Sequence, residues 1–196
     1  MRFDLHVHTD VSHCGRMSVA EVLAHARARG LDGVCITDHD STDALRQANE
    51  GEQADGLVLL VGMEYSSLDG HVLVFGPDLD LPPGLGAARL LAEVRDRGGV
   101  AIAAHPYRAF QTLTRALWAH PLLRLVEGVN GRNTEAENRR ALQAAAKRGI
   151  LATGGSDAHT LEELGRVPTR FHTPIATRKD LVDALRAGRF TPPPRA

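Results

Sequence analysis

The 196-residue sequence is poor in the residues that mark several classes of protein. It has only two cysteines, too few for a disulfide framework. Aromatic residues make up 4% of the chain, and no apolar run approaches the ~18 residues of a membrane span. The formal net charge of -1 gives no general attraction to nucleic acid or to a membrane surface. The chain also starts without an apolar signal stretch, so we expect a cytoplasmic protein with no membrane partner.

The two cysteines are expected to have different surroundings. Cys35 lies in an apolar run at 33–36 and is most simply a small buried hydrophobic residue. Cys14 adjoins His13, which leaves two interpretations open, a loop thiol and a contact with a metal ion. We favour the loop thiol.

Histidine is the residue type that the sequence concentrates in motifs. Seven of the ten histidines lie beside an acid or at the end of an apolar run. The motifs are His6-Val7-His8, Ser12-His13, Thr37-Asp38-His39-Asp40, Gly70-His71, Ala104-His105-Pro106 and Gly155-Ser156-Asp157-Ala158-His159, with Glu64 between the third and fourth. Imidazole and carboxylate are the ligands that borderline divalent metals prefer. Their dispersal argues against a zinc finger and predicts a catalytic metal site assembled from several strand ends.

Short apolar runs alternate with helical stretches along the chain. The pattern predicts strands at 3–8, 33–37, 57–64, 71–75, 100–104, 125–130, 150–154 and 170–173. It predicts helices at 18–29, 41–54, 86–97, 134–148 and 179–187, with Ser41 and Thr177 as N-caps, and an ambiguous stretch at 108–120 that could form a short helix over the site. We expect one domain over residues 1–190 and a loose proline-rich tail over 191–196.

The candidate ligands fall at or just after the C-terminal ends of these strands. Strands alternating with helices indicate an α/β protein with a mostly parallel sheet. An open sheet gathers its site at one crevice, whereas a closed ring brings ligands from five strands together more easily. We therefore predict a small or distorted barrel of about seven strands.

Local spacing supports a shared site. His6 and His8 are two residues apart on a strand, so both side chains leave the same face and can bind one ion. Asp157 and His159 can do the same if their backbone is extended. Asp38 and His39 are adjacent and point to opposite faces in an extended chain, so one is a ligand and the other a supporting residue or a helix cap.

Five of these motifs, in order, resemble those of the PHP (polymerase and histidinol phosphatase) domain family. The segments that carry the resemblance are 4–9, 36–39, 62–64, 104–106 and 154–159, so it extends from residue 4 to about residue 160. No single motif would be specific, but the ordered set is. The resemblance implies a distorted (β/α)7 TIM-like barrel, a trinuclear metal centre on its C-terminal rim, and hydrolysis of phosphate esters.

The resemblance also implies nine ligands for up to three divalent ions per chain, Mn, Fe or Zn. A first metal would be held by His6, His8, Glu64 and Asp157. Glu64 would bridge to a second metal bound by His71 and His105, and a third would be bound by His13, His39 and His159. Many relatives carry aspartate at the position of His13. All nine positions hold competent ligands, which favours a working enzyme.

The expected reaction is hydrolysis of a phosphate mono- or diester of a small molecule or nucleotide by a metal-activated hydroxide. Glu64 would hold two metals, while Asp157, or His159 if it is not committed to a metal, would accept or relay a proton. A substrate phosphate also needs fixed positive groups. Arg108 and Arg132 follow strand ends on the same rim and are the candidates, with a solvated surface arginine as the alternative for each.

Three other functions stay open at this point. A nuclease or polymerase-associated module is disfavoured by the near-neutral charge and the scarcity of aromatic residues. A non-catalytic interaction domain is disfavoured by the complete ligand set. Amidohydrolases use similar barrels, but their usual metal-bridging lysine has no evident counterpart, since the only lysines are Lys147 and Lys179.

Overall fold

A computed structural model of the chain describes residues 1–109 and 112–191. Its strands are β1 (Arg2–Val7), β2 (Gly33–Ile36), β3 (Gly51–Glu52), β4 (Val58–Val61), β5 (Met63–Ser67), β6 (Gly70–Phe75), β7 (Val100–Ala103), β8 (Leu125–Asn130), β9 (Leu151–Gly155), β10 (Thr169–Phe171) and β11 (Phe190–Thr191). Its α-helices are α1 (Val19–Ala26), α2 (Ala87–Asp96), α3 (Arg115–Trp118), α4 (Glu135–Arg148) and α5 (Arg178–Arg186), with a 3-10 helix at Asp43–Arg46. The mixed α/β class predicted from the sequence is confirmed.

These strands form two sheets. The order is β11-β10-β1-β2-β4-β3 in the first sheet and β5-β6-β7-β8-β9 in the second. In the described part of the chain, isolated bridges from Val7 to Ala158 and from His39 to Glu64 connect the two sheets. A closed barrel is therefore not confirmed. The described residues form eleven strands rather than about seven, because β3 and β11 are short strands that the sequence did not predict and the predicted strand 57–64 divides into β4 and β5.

Both sheets contain parallel and antiparallel pairs, so the prediction of a mostly parallel sheet is also wrong. Parallel pairs join β1 to β2, β2 to β4, β7 to β8 and β8 to β9. The remaining five pairs are antiparallel. The physical reason is clearest at β5 and β6, where two intervening residues can form a hairpin but not the crossover that parallel strands require.

The strand predicted over 57–64 divides at Gly62 and serves both sheets. Its first part, β4, pairs with β2, and its second part, β5, pairs with β6. A Cβ atom at Gly62 would lie 2.5 Å from the carbonyl oxygen of Val74 and 2.6 Å from the ring of Phe75, so only glycine permits this approach. The apolar pattern continues through the break, which is why periodicity does not reveal it.

Most helices begin where their capping residues predict. Ser18 and Thr134 form capping boxes at the starts of α1 and α4, and Thr177 caps α5. Gly149 ends α4 with a left-handed φ of 65°. The local sequence therefore specifies where these helices begin and where α4 ends.

The helix predicted over 41–54 is wrong. This stretch holds the 3-10 helix and β3, and the Ser41 hydroxyl accepts a hydrogen bond from the backbone of Asp43 rather than capping an α-helix. Pairing of Gly51 and Glu52 with β4 satisfies the backbone here, and Gly51 adopts a φ of 106° that a helix does not allow. Tertiary pairing thus overrides the helical pattern.

The ambiguous stretch 108–120 contains α3, but this helix packs away from the predicted site. Leu117 and Trp118 are buried in a core cluster that includes Val126 of β8 and Ala144 of α4. Residues 110 and 111, and the predicted tail beyond 191, lie outside the described residues. Thr191, assigned to the tail from sequence, pairs with Arg170 in β10.

The main core lies beneath the rim on which the ligand candidates gather. Phe3 and Leu5 of β1 pack there with residues of β4, β6 and β7, and all of them are buried. No helix in the described ranges is long and apolar enough to cross a membrane.

Candidate metal centre

Four buried polar side chains meet where β1, β5 and the loop after β9 approach one another. His6, His8, Glu64 and Asp157 are each at most 1% exposed. Nε2 of His6 and Nε2 of His8 both lie 3.1 Å from Glu64 Oε2, and they lie 3.5 and 3.4 Å from Asp157 Oδ1. The two-residue spacing at the end of β1 thus places both imidazoles against the same pair of carboxylates.

The other oxygen of Glu64 faces a second pair of imidazoles. His71 Nδ1 and His105 Nε2 each lie 2.9 Å from Glu64 Oε1. His71 stands in β6, which pairs with β5, and His105 follows β7, which pairs with β6. Three neighbouring strands therefore position Glu64, His71 and His105. The Glu64 carboxylate lies between two sets of histidine nitrogen atoms.

Two further histidines lie at the edge of this group. His39 Nδ1 is 3.5 Å from Glu64 Oε2, and His159 Nδ1 is 3.6 Å from Asp157 Oδ1. Their side chains are 22% and 15% exposed, in contrast to the buried His6 and His8. His159 Nδ1 also lies 2.8 Å from the backbone oxygen of Asp157, which makes it the donor and leaves Nε2 as an acceptor.

The structure leaves His13 apart from the other eight predicted ligands. His13 is exposed, and its ring centroid lies 6.3 Å from that of His39. Within the described residues, ligand atoms lie within 4.8 Å of one another in four groups of three, which together include all eight of the others but not His13. The groups are His6 with His8 and Asp157, His8 with His39 and Glu64, Glu64 with His71 and His105, and His8 with Cys14 and His159.

Asp38, the neighbour of His39, supports the site without entering it. Its Oδ1 accepts hydrogen bonds from the backbone of Thr9 and the hydroxyl of Ser12, both at 2.7 Å. Its Oδ2 accepts from the Thr9 hydroxyl at 2.6 Å. The ambiguity of the Asp38-His39 pair is resolved by these contacts, because the carboxylate anchors the loop after β1 while the imidazole faces Glu64.

Glu127 is a buried acid that the sequence analysis missed. Its Oε1 lies 3.0 Å from His6 Nδ1, and its Oε2 accepts from the backbone N–H of His105 at 2.9 Å. A Cβ at Gly155 would lie 2.3 Å from Glu127 Oε1, so this glycine makes room for the carboxylate. The signal in the sequence is one acid inside the apolar run 125–130, since a buried charge requires a partner.

Comparison with known proteins decides the family of this chain. The family model described as the PHP domain matches residues 4–160, which span all of the groups described above. The chain belongs to the PHP domain family. A second model, described as PHP-associated, matches residues 135–190.

Relatives and solved structures are similar to this PHP domain to different extents. An uncharacterised protein of Methanocaldococcus jannaschii is 31% identical over 117 residues, covering 55% of this chain and 68% of its own length. A phosphoribosyl 1,2-cyclic phosphate 1,2-diphosphodiesterase of Eggerthella lenta is 36% identical over 85 residues, covering 40% of this chain and 32% of its own length. A crystal structure described as a putative metal-dependent phosphoesterase of Bifidobacterium adolescentis superposes with a TM-score of 0.68 at 21% identity, covering 93% of this chain and 95% of that one.

Charge pairing sets the protonation of the buried groups in the PHP domain. Burial lowers the pKa of His6, but the negative charges of Asp157, Glu64 and Glu127 outweigh it and hold that pKa well above its usual range. Burial raises the pKa values of Glu64 and Asp157, but the cationic His6 and further hydrogen bonds hold both well below their usual range. Without metal, His6 is therefore an imidazolium and Glu64 and Asp157 are carboxylates at neutral pH.

The edge of the site has the opposite protonation. Burial lowers the pKa of His39 to about 4, because the attraction of the Glu64 carboxylate does not offset the effect of burial. Burial and the neighbouring His8 charge also lower the pKa of His159. Both imidazoles are neutral at pH 7, which is the form that binds a metal ion.

Two of the clustered residues have unusual backbone conformations. His105 has a φ of 29° and Asp157 a φ of 55°, in the left-handed region that non-glycine residues rarely adopt. Such conformations cost on the order of 1–3 kcal/mol and persist only where surrounding contacts impose them. The Glu127 bond to the His105 backbone N–H supplies such a contact, and Arg108 holds the side chain of Asp157.

The donor set fits divalent metal ions. Nε2 of His6 and Nε2 of His8 lie 3.1 Å apart and face the same carboxylate oxygen. In the described part of the chain, Nδ1 of His8 and Nδ1 of His105 are buried without a hydrogen-bond partner. Converging imidazoles and carboxylates with unused nitrogen atoms are costly to bury unless they pair or coordinate a metal.

A cleft of about 520 Å³ opens over these groups, and both predicted arginines line it. One terminal nitrogen of Arg108 donates to Asp157 Oδ2 at 2.6 Å and to Asn130 Oδ1 at 2.7 Å. Arg132 has a side chain that is 41% exposed, with its Nε 3.7 Å from Glu163 Oε1. Arg108 is therefore bound to the buried Asp157 and Asn130, whereas the Arg132 side chain is more exposed at the cleft.

Proposed function

We propose that this PHP domain hydrolyses a phosphate mono- or diester of a small molecule or nucleotide, using bound divalent metal ions. The observation that supports this most directly is the position of Glu64. One of its oxygens faces His6 and His8, while the other faces His71 and His105. A carboxylate placed between two sets of imidazoles suits two neighbouring ions better than a single ion.

The proposed ligands follow from the four groups of donor atoms. His6, His8, Glu64 and Asp157 would hold one ion, and Glu64, His71 and His105 a second. His39 and His159 would contribute to a third at the edge of the cleft. Manganese, iron and zinc are all compatible with this mixture of imidazole and carboxylate. Bound ions would supply a water of lowered pKa and would neutralise the phosphate oxygens.

Proton transfer is best assigned to His159 among the catalytic candidates. Its lowered pKa keeps the imidazole neutral, and its Nδ1 donor bond to the Asp157 backbone leaves Nε2 as the one nitrogen that can either bind the third ion or, when that ion is absent, accept a proton. Asp157 is held as an anion by His6 and Arg108, which suits ligation more than proton uptake. We therefore propose Asp157 and Glu64 for fixing the negative charge of the centre, and His159 for the proton only in the state where the third ion is not bound to it.

Arg132 and Arg108 are proposed to act at different places. Arg132 would bind a phosphate of the substrate, because it lines the cleft and its ion pair with Glu163 is long, at 3.7 Å. Arg108 donates to Asp157 and Asn130, so its first effect would be to orient the acid. The cleft volume of about 520 Å³ lies within the range of sites for small ligands.

A panel of phosphomonoesters and phosphodiesters, including a cyclic phosphate of a sugar, tests this function. Protein loaded with manganese, iron or zinc should hydrolyse at least one member, and the activity should disappear when the ions are chelated and return when they are restored. The cyclic phosphate is included because the relative from Eggerthella lenta is described as acting on one. Metal-loaded protein that cleaves no phosphoester in the panel, including single-stranded DNA, would contradict the proposal.

A further inference from the structure

The loop between β1 and α1 places Cys14, not His13, at the cleft. Cys14 lines the cleft together with His39, Glu64 and His159, whereas His13 is not among the lining residues. His13 is exposed and Cys14 only partly so. The neighbouring residues therefore point in different directions, and the thiol is the one directed toward the metal ligands.

The thiol has two imidazoles beside it. Ligand atoms of Cys14, His8 and His159 lie within 4.8 Å of one another, and the rings of His8 and His159 have their centroids 4.4 Å apart. His8 is fully buried, and its Nδ1 has no hydrogen-bond partner in the part of the chain that the structure describes. A thiol that meets two imidazoles in a cleft of this kind has the composition of a metal subsite.

Contacts on both sides hold the loop in this position. Before Cys14, the Ser12 hydroxyl donates to Asp38 at 2.7 Å, and after it, the backbone N–H of Arg16 donates to the backbone oxygen of His159 at 3.1 Å. A Cβ at Gly15 would lie 2.0 Å from the backbone oxygen of Thr9, so the turn is too tight for another residue. The loop is thus fixed to the same segment that carries His159.

We propose that Cys14 is a ligand of the metal ion at His159, taking the place that the family resemblance gives to His13. This inference rests on the metal centre of the proposed function. On binding, the thiol would lose its proton to solvent and its sulfur would form the bond to the ion. A thiolate is a softer donor than the aspartate of many relatives, so the subsite should favour zinc, iron or cobalt over manganese.

Cobalt substitution tests this assignment with a readout independent of activity. Cobalt-loaded wild-type protein should show a near-ultraviolet sulfur-to-cobalt charge-transfer band. Cys14→Ser should lose the band and one metal equivalent, whereas Cys35→Ala, which changes the buried cysteine of β2, should keep both. His13→Ala should also keep the band. Cobalt bound without the band, or a band that survives in Cys14→Ser, would overturn the role of Cys14 alone, while a protein that binds no cobalt would overturn the metal centre as well.

A second measurement uses the unmodified chain, so it does not depend on the folding of a variant. Iodoacetamide should alkylate Cys14 slowly in zinc-loaded protein and faster after chelation, as located by mass spectrometry of the peptides. Restoring zinc before the reagent should restore the protection. Equal alkylation rates with and without zinc, in protein shown by elemental analysis to have bound it, would overturn the assignment.

Discussion

The inner and outer halves of the metal centre differ in burial and in charge. We call His6, His8, Glu64, His105 and Asp157 the inner half, and Cys14, His39, His71 and His159 the rim. Every inner side chain is at most 2% exposed, whereas the rim histidines are 15–22% exposed. In the inner half His6 is paired as imidazolium with the carboxylates of Glu64 and Asp157, but His39 and His159 at the rim are neutral at pH 7.

This difference indicates how each half stays ordered without metal. The inner half is held by charge pairs and by Glu127, which contacts both His6 and the backbone of His105. The rim is held through the backbone, as in the bond from Arg16 to His159. An ion entering the inner half must displace the proton of His6, while the neutral imidazoles of His39 and His159 can bind without losing one. Changes to the inner half should therefore have the larger consequences.

The largest effect is expected from Glu64→Gln, which removes the carboxylate at the centre of the inner half. The amide keeps the shape of the side chain but removes the negative charge that faces five imidazoles. Metal content should fall from up to three ions per chain, and the phosphoesterase rate should drop by at least ~10²-fold. Elemental analysis and turnover of the best phosphoester measure the two quantities on the same sample.

Glu52→Gln is the matched control, because Glu52 is an exposed residue of the short edge strand β3. It should keep the parent's metal content and rate. If Glu64→Gln also kept the parent's turnover, Glu64 would be a structural residue and the argument for two neighbouring ions would be wrong.

Arg132→Ala should show the next largest effect. It tests substrate binding separately from metal binding in either half. Losing a charge-assisted phosphate contact costs on the order of 1.5–3 kcal/mol. This corresponds to a decrease in kcat/KM of roughly 10- to 150-fold with metal content unchanged. Arg132→Lys should recover only part of the loss, because a point charge does not reproduce the bidentate guanidinium.

The control for Arg132 is Arg89→Ala, which removes an exposed arginine that pairs with Glu93 on α2. Its kcat/KM should equal that of the parent. Were Arg132→Ala as fast as the parent, the phosphate contact would pass to Arg108, the other arginine at the cleft.

Glu127→Gln should weaken metal binding at the inner half by removing a charge that supports His6 and His105. The carboxylate takes three hydrogen bonds, from His6, from the backbone of His105 and from Asn130. Partners of this kind fix the ring of a ligating histidine, and their loss costs about 10- to 100-fold in metal affinity or activity. Competition with a fluorescent chelator should show this weakening with an unchanged circular dichroism spectrum. Unaltered affinity would mean that Glu127 only fills space.

The sequence predicts the inner half better than its surroundings. The spacing of His6 and His8 is local, and Glu64, His105 and Asp157 follow apolar runs whose ends meet on one rim, so each could be named without the fold. Glu127 escaped prediction because one acid in an apolar strand has no neighbouring motif. The break at Gly62 escaped because the apolar pattern runs through it, although the structure allows no side chain there.

The rim shows where a sequence pattern stops being informative. His13 and Cys14 are neighbours in a tight loop, and the turn between Thr9 and Gly15 decides which of them faces the cleft. Histidine is the better known ligand type, so the residue types alone favour His13 over Cys14. The direction of a side chain in a loop depends on contacts such as those of Asp38 and the His159 backbone, which lie far away in the sequence.

Proton release on metal binding should give the smallest effect and sharpens the comparison between the halves. The pKa of His6 is raised well above 6.5, so in the metal-free protein it carries a proton at pH 7 that a metal must displace. The pKa values of His39 and His159 are lowered, so they contribute none. We expect release of at least one proton per chain from the inner half, because the pKa of His8 is raised as well as that of His6, and weaker metal binding as the pH falls.

Calorimetric titrations with zinc in two buffers of different ionisation enthalpy measure this release. Cys14→Ser is the appropriate background, because a thiol ligand would add a proton of its own. The release should come from ions bound at the inner half, since His39 and His159 at the rim are neutral before the metal binds. The same charge pairing predicts the stability of the metal-free protein. The contribution of His6 is present below pH 6.5 and lost as the pH rises through its folded pKa, while that of Glu64 is present above pH 4.5 and lost as the pH falls through its own. Equal apparent binding enthalpies in the two buffers would show that His6 is neutral before the metal binds, and that the two halves do not differ in charge.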